Sequence, residues 1–191
     1  MNAASRLRTL ATLMAATLIL AAIVHLVVIL LVPRFAERDA YTRLARASER
    51  DATTLQPRAA PTEREFPYAD PAVAMAICRF DLANGPVRIT APAGRGFTSL
   101  SFHTAHGQSF YALTDKAAAQ DTIEAVLATP EDIRELEAQD DEEDPSHDLR
   151  VQAPERQGFV ALRVFSEEPS LYPAAEELAK QLVCKTEPLP R

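Results

Sequence analysis

From residue 10 to residue 32 the chain carries no Asp, Glu, Lys or Arg. At about 1.5 Å of rise per residue, a helix of that length spans the ~30 Å hydrocarbon core of a bilayer. The pattern predicts a single N-terminal transmembrane helix over residues 10–32, behind a short tail at 1–9. A secretory signal peptide has a shorter apolar region of ~7–15 residues that ends in small residues. Here Ile19 and Leu20 stand where a second small residue would precede Ala21 and Ala22, and ten apolar or neutral residues follow. An uncleaved anchor is therefore expected.

After the anchor the period changes. Between residues 37 and 50, Ala40, Leu44 and Ala47 recur at helical spacing among charges, which predicts a juxtamembrane helix that continues the anchor or lies on the surface. Residues 51–71 shift to Thr, Ala, charges and Pro57, Pro61, Pro67 and Pro71, too polar and too broken for a core element. The stretch 33–71 thus reads as juxtamembrane helix and Pro-rich linker, with Phe66 and Tyr68 as residues able to dock onto a following domain.

Residues 72–185 then alternate short apolar runs with turn residues, and 186–191 form a tail. Strands are predicted at 75–82, 87–91, 97–103, 109–113, 121–127, 149–152 and 159–165. Asn84-Gly85-Pro86 reads as the turn of a hairpin joining the first two, and His106-Gly107-Gln108 as a second hairpin turn. A helix is expected at 130–139, opened by Pro130 with Glu131 and Asp132 in its first turn, and another at 172–183, which delivers Cys184. The resulting class is mainly β: an antiparallel sandwich or partial barrel with two short helices, its strands in a meander. About 120 residues remain once the anchor and its flanks are removed, enough for one domain with one core.

The formal charge is −7, with basic residues prevailing as far as Arg50 and acidic ones from Asp51 onward. An acidic body repels phosphates, so nucleic acid is not an expected partner, whereas the basic flank of the anchor suits anionic lipid head groups. Membrane lipid is the expected partner of residues 10–32. Cys78 and Cys184 form an even pair. A disulfide between them would close a loop of ~100 residues and remove on the order of 4–5 kcal/mol of unfolded-chain entropy; the alternative is two buried free thiols.

The strand Ala76-Ile77-Cys78-Arg79-Phe80-Asp81-Leu82, the turn Gly85-Pro86-Val87-Arg88, the strand Gly158-Phe159-Val160-Ala161-Leu162-Arg163 and the closing Cys184 resemble the small membrane-anchored members of the "domain of unknown function 1254" family. The similarity covers most of residues 66–184. Its motifs are structural, and the resemblance carries over no catalytic residues. It implies one half of a split pair, whose separate partner is a β-rich domain of the "domain of unknown function 1214" type. A homodimer is the other protein pairing left open. Arg34, Arg38, Arg43, Arg46 and Arg50 outnumber Arg6 and Arg8, which by positive-inside counting favours a cytoplasmic C-terminus. A disulfide persists only outside the cytosol, and together with the resemblance it favours a bacterial-type inner-membrane protein whose C-terminal domain is periplasmic.

His103 and His106 are the candidate site residues, because they flank a turn that could aim both imidazoles at one metal ion. Such a site needs a third donor, for which His147, Asp115 and Asp81 are the choices. Ser99, Ser101 and Ser109 sit in strands without the Gly-x-Ser-x-Gly turn that exposes a nucleophile. The run Asp140-Asp141-Glu142-Glu143-Asp144 lacks calcium-loop spacing and reads as a solvated loop. His25 is the one ionisable residue within the anchor, and Ala11 and Ala15 would let two such helices approach. No catalytic residue, metal or cofactor is assigned. Three classes of function remain: a noncatalytic envelope interaction domain, an enzyme or metal-dependent sandwich using His103 and His106, and a small-molecule or polysaccharide binder stacking on Phe97, Phe102, Phe110 and Tyr111.

Overall fold

In a computed structural model of the chain, the described residues are 3–35, 40–47, 52–59, 69–94, 96–118, 121–140 and 149–188. They fall into two units, divided after Arg38.

The first unit holds the helix α1 (Ala3–Phe35). Its stretch Ala4–Val32 is 29 residues long with a mean hydropathy of 2.9, long and apolar enough to cross a membrane. The hydroxyls of Thr9, Thr12 and Thr17 donate back to carbonyls one turn earlier, so these polar groups are satisfied within the helix.

The second unit is built of two sheets. The first contains β1 (Thr53–Leu55), β2 (Val73–Asp81), β8 (Gln157–Phe165), β4 (Thr98–Thr104) and β5 (Ser109–Thr114), in that spatial order and antiparallel throughout. The second runs β7 (Arg150–Gln152), β6 (Thr122–Ala128), β3 (Val87–Pro92), β9 (Val183–Thr186), and its β6–β7 pair is parallel. Phe80, Leu100, Phe102, Val160 and Leu162 of the first sheet meet Val87, Ile89, Ile123 and Leu127 of the second in one core. Burying each of these side chains is worth roughly 1.5–3 kcal/mol, which is what holds the sheets face to face. The helix α4 (Tyr172–Ala179) packs Tyr172, Ala175 and Ala179 into the same core. Cys78 of β2 and Cys184 of β9 are joined by a disulfide, so one covalent link ties the two sheets together.

Mainly β architecture is thus observed, as two sheets that do not close into a barrel. The helix α3 (Pro130–Ala138) begins where Pro130 indicated, fixed by a capping box in which Thr129 and Asp132 satisfy each other's backbone N–H. The β4–β5 hairpin also forms, with a register shift at Phe102 and His103.

The other expected hairpin does not form. After β2 the Asp81 carboxylate accepts from Ala83 N–H and starts a 3-10 turn, and Gly85, at φ 124°, sends the chain into the opposite sheet. A Cβ at Gly85 would lie 2.6 Å from the Glu187 carbonyl, because the chain beyond β9 packs directly on this corner. The strand order therefore departs from a meander. Residues 53–55, within the stretch expected as linker, pair with β2 as an edge strand. The last helix ends at Ala179, and Cys184 sits in β9 rather than at a helix end. The helix α2 (Ala40–Ala47) docks on the outer face of the first sheet, burying Leu44 against Ile77, Phe159 and Ala161. Its backbone is tied there too, since Tyr41 N–H donates to the Ala105 carbonyl. Phe66 and Tyr68 lie outside the described residues.

Candidate functional site: the outer face of the first sheet

Alternation along β2, β8 and β4 turns every second residue away from the core. The register lines these outward residues into rows: Arg79 beside Phe159 beside His103, then Ile77, Ala161 and Ser101, then Met75, Arg163 and Ser99. One row further, Phe165 N–H donates to the Phe97 carbonyl, and both phenyl rings are exposed. The Arg79 guanidinium stands 5.1 Å over the ring of Tyr41, so α2 covers the Arg79 end of the face.

A polar network runs through the middle. Arg163 Nη1 donates to Ser101 Oγ at 2.6 Å, His103 Nε2 lies 2.9 Å from the same oxygen, and Ser101 Oγ also reaches the Ala161 carbonyl at 3.3 Å. His103 Nδ1 is 3.3 Å from the Gly107 carbonyl, which can only accept, so Nδ1 carries the proton, and Nε2 of the neutral ring and the Ala161 carbonyl are alternative acceptors for the single Ser101 hydroxyl proton. Burial pushes the His103 pKa down; the bond to Gly107 opposes this, and the charge on Arg163 adds to it. The Arg163 pKa is lowered by the same desolvation.

Both nitrogens of His103 are thus engaged with Ser101 and Gly107. His106 lies in the turn beyond the end of β4. Asp81 is bound to Ala83 and Gln157, Asp115 opens a 3-10 turn after β5, and His147 lies outside the described residues. Among the described residues, no group of three His, Cys, Asp or Glu side chains stands together as a metal site. Ser101 is buried in a strand whose amides serve ladders on both sides, which leaves no pair of N–H groups to hold an oxyanion. Asp140 pairs bidentately with Arg150, and residues 141–148 lie outside the described residues. Phe102 is wholly buried, with Phe110 and Tyr111 packed 6.2 and 6.0 Å from its ring, while Phe97 is exposed. A solvent-open groove of about 420 Å³, lined by Asp81, Ala83, Ala105, Glu155, Arg156 and Gln157, marks the end of the first sheet where β8 starts.

A family model described as "Protein of unknown function (DUF1254)" matches residues 51–186. The chain belongs to the DUF1254 family. The DUF1254 match contains both cysteines and every row of the outer face, and it leaves out α1 and α2. No curated protein matches the chain. Among solved structures, the VPA0106 protein from Vibrio parahaemolyticus aligns over 79% of this chain and 36% of its own, at 13% identity and a TM-score of 0.51. An uncharacterized protein from Burkholderia cenocepacia aligns over 77% of this chain and 40% of its own, at 14% identity and a TM-score of 0.48. This DUF1254 chain therefore spans well under half the length of either, and the likeness to VPA0106 is one of fold.

Arg163 is the site residue that residue-by-residue motif reading passes over. Its signal is present all the same: it is the one charge in Phe159-Val160-Ala161-Leu162-Arg163-Val164-Phe165, a strand otherwise apolar on both faces.

Proposed function

We propose that this DUF1254 chain is a single-pass envelope protein, anchored by α1 in a bacterial-type inner membrane, whose periplasmic sandwich is a noncatalytic interaction domain. Its partner in this reading is a separate β-rich domain of the DUF1214 type, which pairs along the outer edge of β5, where no strand of the described residues pairs.

The observation that carries the reading is the composition of that edge. β5, Ser109-Phe110-Tyr111-Ala112-Leu113-Thr114, closes one side of the five-stranded sheet and contains no charge and no proline. Edge strands are normally kept short or protected by charge, proline or bulges, because free N–H and C=O groups recruit another strand. The irregularity opposite His103 affects one end only, and residues 111–114 stay in register with β4. The other edges are shorter: three residues in β1, three in β7 and four in β9. The disulfide supports a periplasmic domain over the arginine count, since cytosolic thiols are held reduced. In VPA0106 the shared fold occupies 36% of the chain, which supports a domain that works beside further structure.

The test is co-purification of the full chain from its native membrane, as wild type and as Tyr111→Lys with Ala112→Glu, two exposed positions on β5. Capture of a DUF1214-type protein by the wild type and its loss from the charged variant support the proposal. No such capture, or equal capture by both, contradicts it.

A further inference from the structure

Among the described residues, none covers one end of the outer face beside α2. Leu44 covers Ile77, Phe159 and Ala161, while the rows of Ser99 and Arg163 and of Phe97 and Phe165 lie beyond. Arg163 is half-buried, and its hydrogen bond from Nη1 to Ser101 is its polar contact with the described residues, among which no carboxylate pairs with it. A guanidinium has five N–H donors, and a partly desolvated charge is unfavourable without a counter-ion. Ser101 is itself engaged with Ala161 and His103, and Nη1 is the Arg163 nitrogen that bonds it, with no hydrogen bond from Nε or Nη2 to the described residues.

Charge and surface define what would fill the position. Burial holds His103 neutral, so the network carries one positive charge, which one carboxylate balances. Phe97 is 56% exposed and Phe165 39%, and the two are neighbours across the β4–β8 pair on the same face as Arg163. Exposed phenyl rings beside a guanidinium that pairs with no carboxylate among the described residues make an amphipathic surface of the kind that orients a small ligand by one polar contact and one apolar one.

We propose that Arg163, Ser99, Phe97 and Phe165 form a binding site for a small monocarboxylate carrying an aromatic or alkyl group. The carboxylate pairs with the Arg163 fork and the Ser99 hydroxyl, and the apolar group lies on Phe97 and Phe165. The site is separate from the β5 edge, so it stands whether or not that edge docks a partner.

The test is calorimetric titration of the full chain in detergent, blanked against empty micelles, with phenylacetate, its neutral isostere phenylacetamide, and acetate. Saturable phenylacetate binding is expected, weakened about tenfold or more by Arg163→Met and about fivefold by Phe165→Ser. The amide and acetate should each bind at least about tenfold more weakly than phenylacetate, one lacking the charge and the other the ring. The proposal is overturned by absence of saturation up to about 20 mM, by equal affinity for acid and amide, or by unchanged affinity in Arg163→Met. If Arg163→Met does not fold, Phe97→Ser and Phe165→Ser decide the matter on the exposed rings, and unchanged phenylacetate affinity in both overturns it.

Discussion

His103 lies flat on Phe159, with ring centroids 4.8 Å apart and planes 5° from parallel. Lost solvent and the nearby Arg163 charge favour the neutral imidazole in the folded chain, against the opposing bond to Gly107. The unfolded chain takes up the proton at the ordinary value near 6.5, and the folded chain does so only at lower pH. Below about pH 6.5 the unfolded state therefore binds more protons, and stability falls with acidification. Thermal melts from pH 7.5 to 5 should show a declining Tm in wild type and a flatter profile in His103→Gln. Equal slopes would remove His103 from the account.

Gly158 gives the tightest demand for a missing side chain. A Cβ there would stand 2.2 Å from the His103 carbonyl oxygen and 2.6 Å from Phe80 Cζ, both fixed by the β4–β8 ladder and the core. Gly158→Ala should cost about 1–3 kcal/mol, the range for overpacking a filled core, measured by denaturant unfolding. A neutral substitution would mean that β8 is free to move from β4.

Leu44 is the anchor of α2 on the sheet, 3% exposed among Ile77, Phe159 and Ala161. Leu44→Ala should lower stability by about 2–3 kcal/mol and raise hydrogen exchange at Tyr41 N–H, which bonds the Ala105 carbonyl. Unchanged exchange at that amide would contradict a docked helix.

Thr98 is fully buried, and its hydroxyl has no hydrogen-bond partner among the described residues. Thr98→Val keeps the shape and removes the orphaned polar atom, so a gain of roughly 1 kcal/mol is expected in the same unfolding assay. A loss of similar size would show that the hydroxyl is satisfied in solution.

The parts of this fold legible in the sequence are those governed by local chemistry. Thr129, Pro130 and Asp132 cap α3 by themselves, and His106-Gly107-Gln108 closes a hairpin between two runs of matching alternation. Asn84-Gly85-Pro86 misleads because a corner between sheets uses the same turn residues as a hairpin, and only the approach of Glu187 distinguishes them. β1 and α2 are weak alone: Thr53, Thr54 and Leu55 become a strand because β2 offers an edge, and Leu44 is buried because Phe159 and Ile77 lie beneath it. Of the candidate residues, Cys78 and Cys184 meet across the sandwich as an even pair allows. Arg163 joins Ser101 only through a register spanning 62 residues, which no local pattern reveals.

The most direct test is mass-tagging of free thiols under denaturing conditions, with and without reductant, on the chain taken from its native membrane. A periplasmic sandwich with Cys78 bonded to Cys184 predicts no tagging until reductant is added and two tags afterwards. Immediate tagging of both cysteines would place the domain on the reducing side of the membrane and contradict the proposed envelope role.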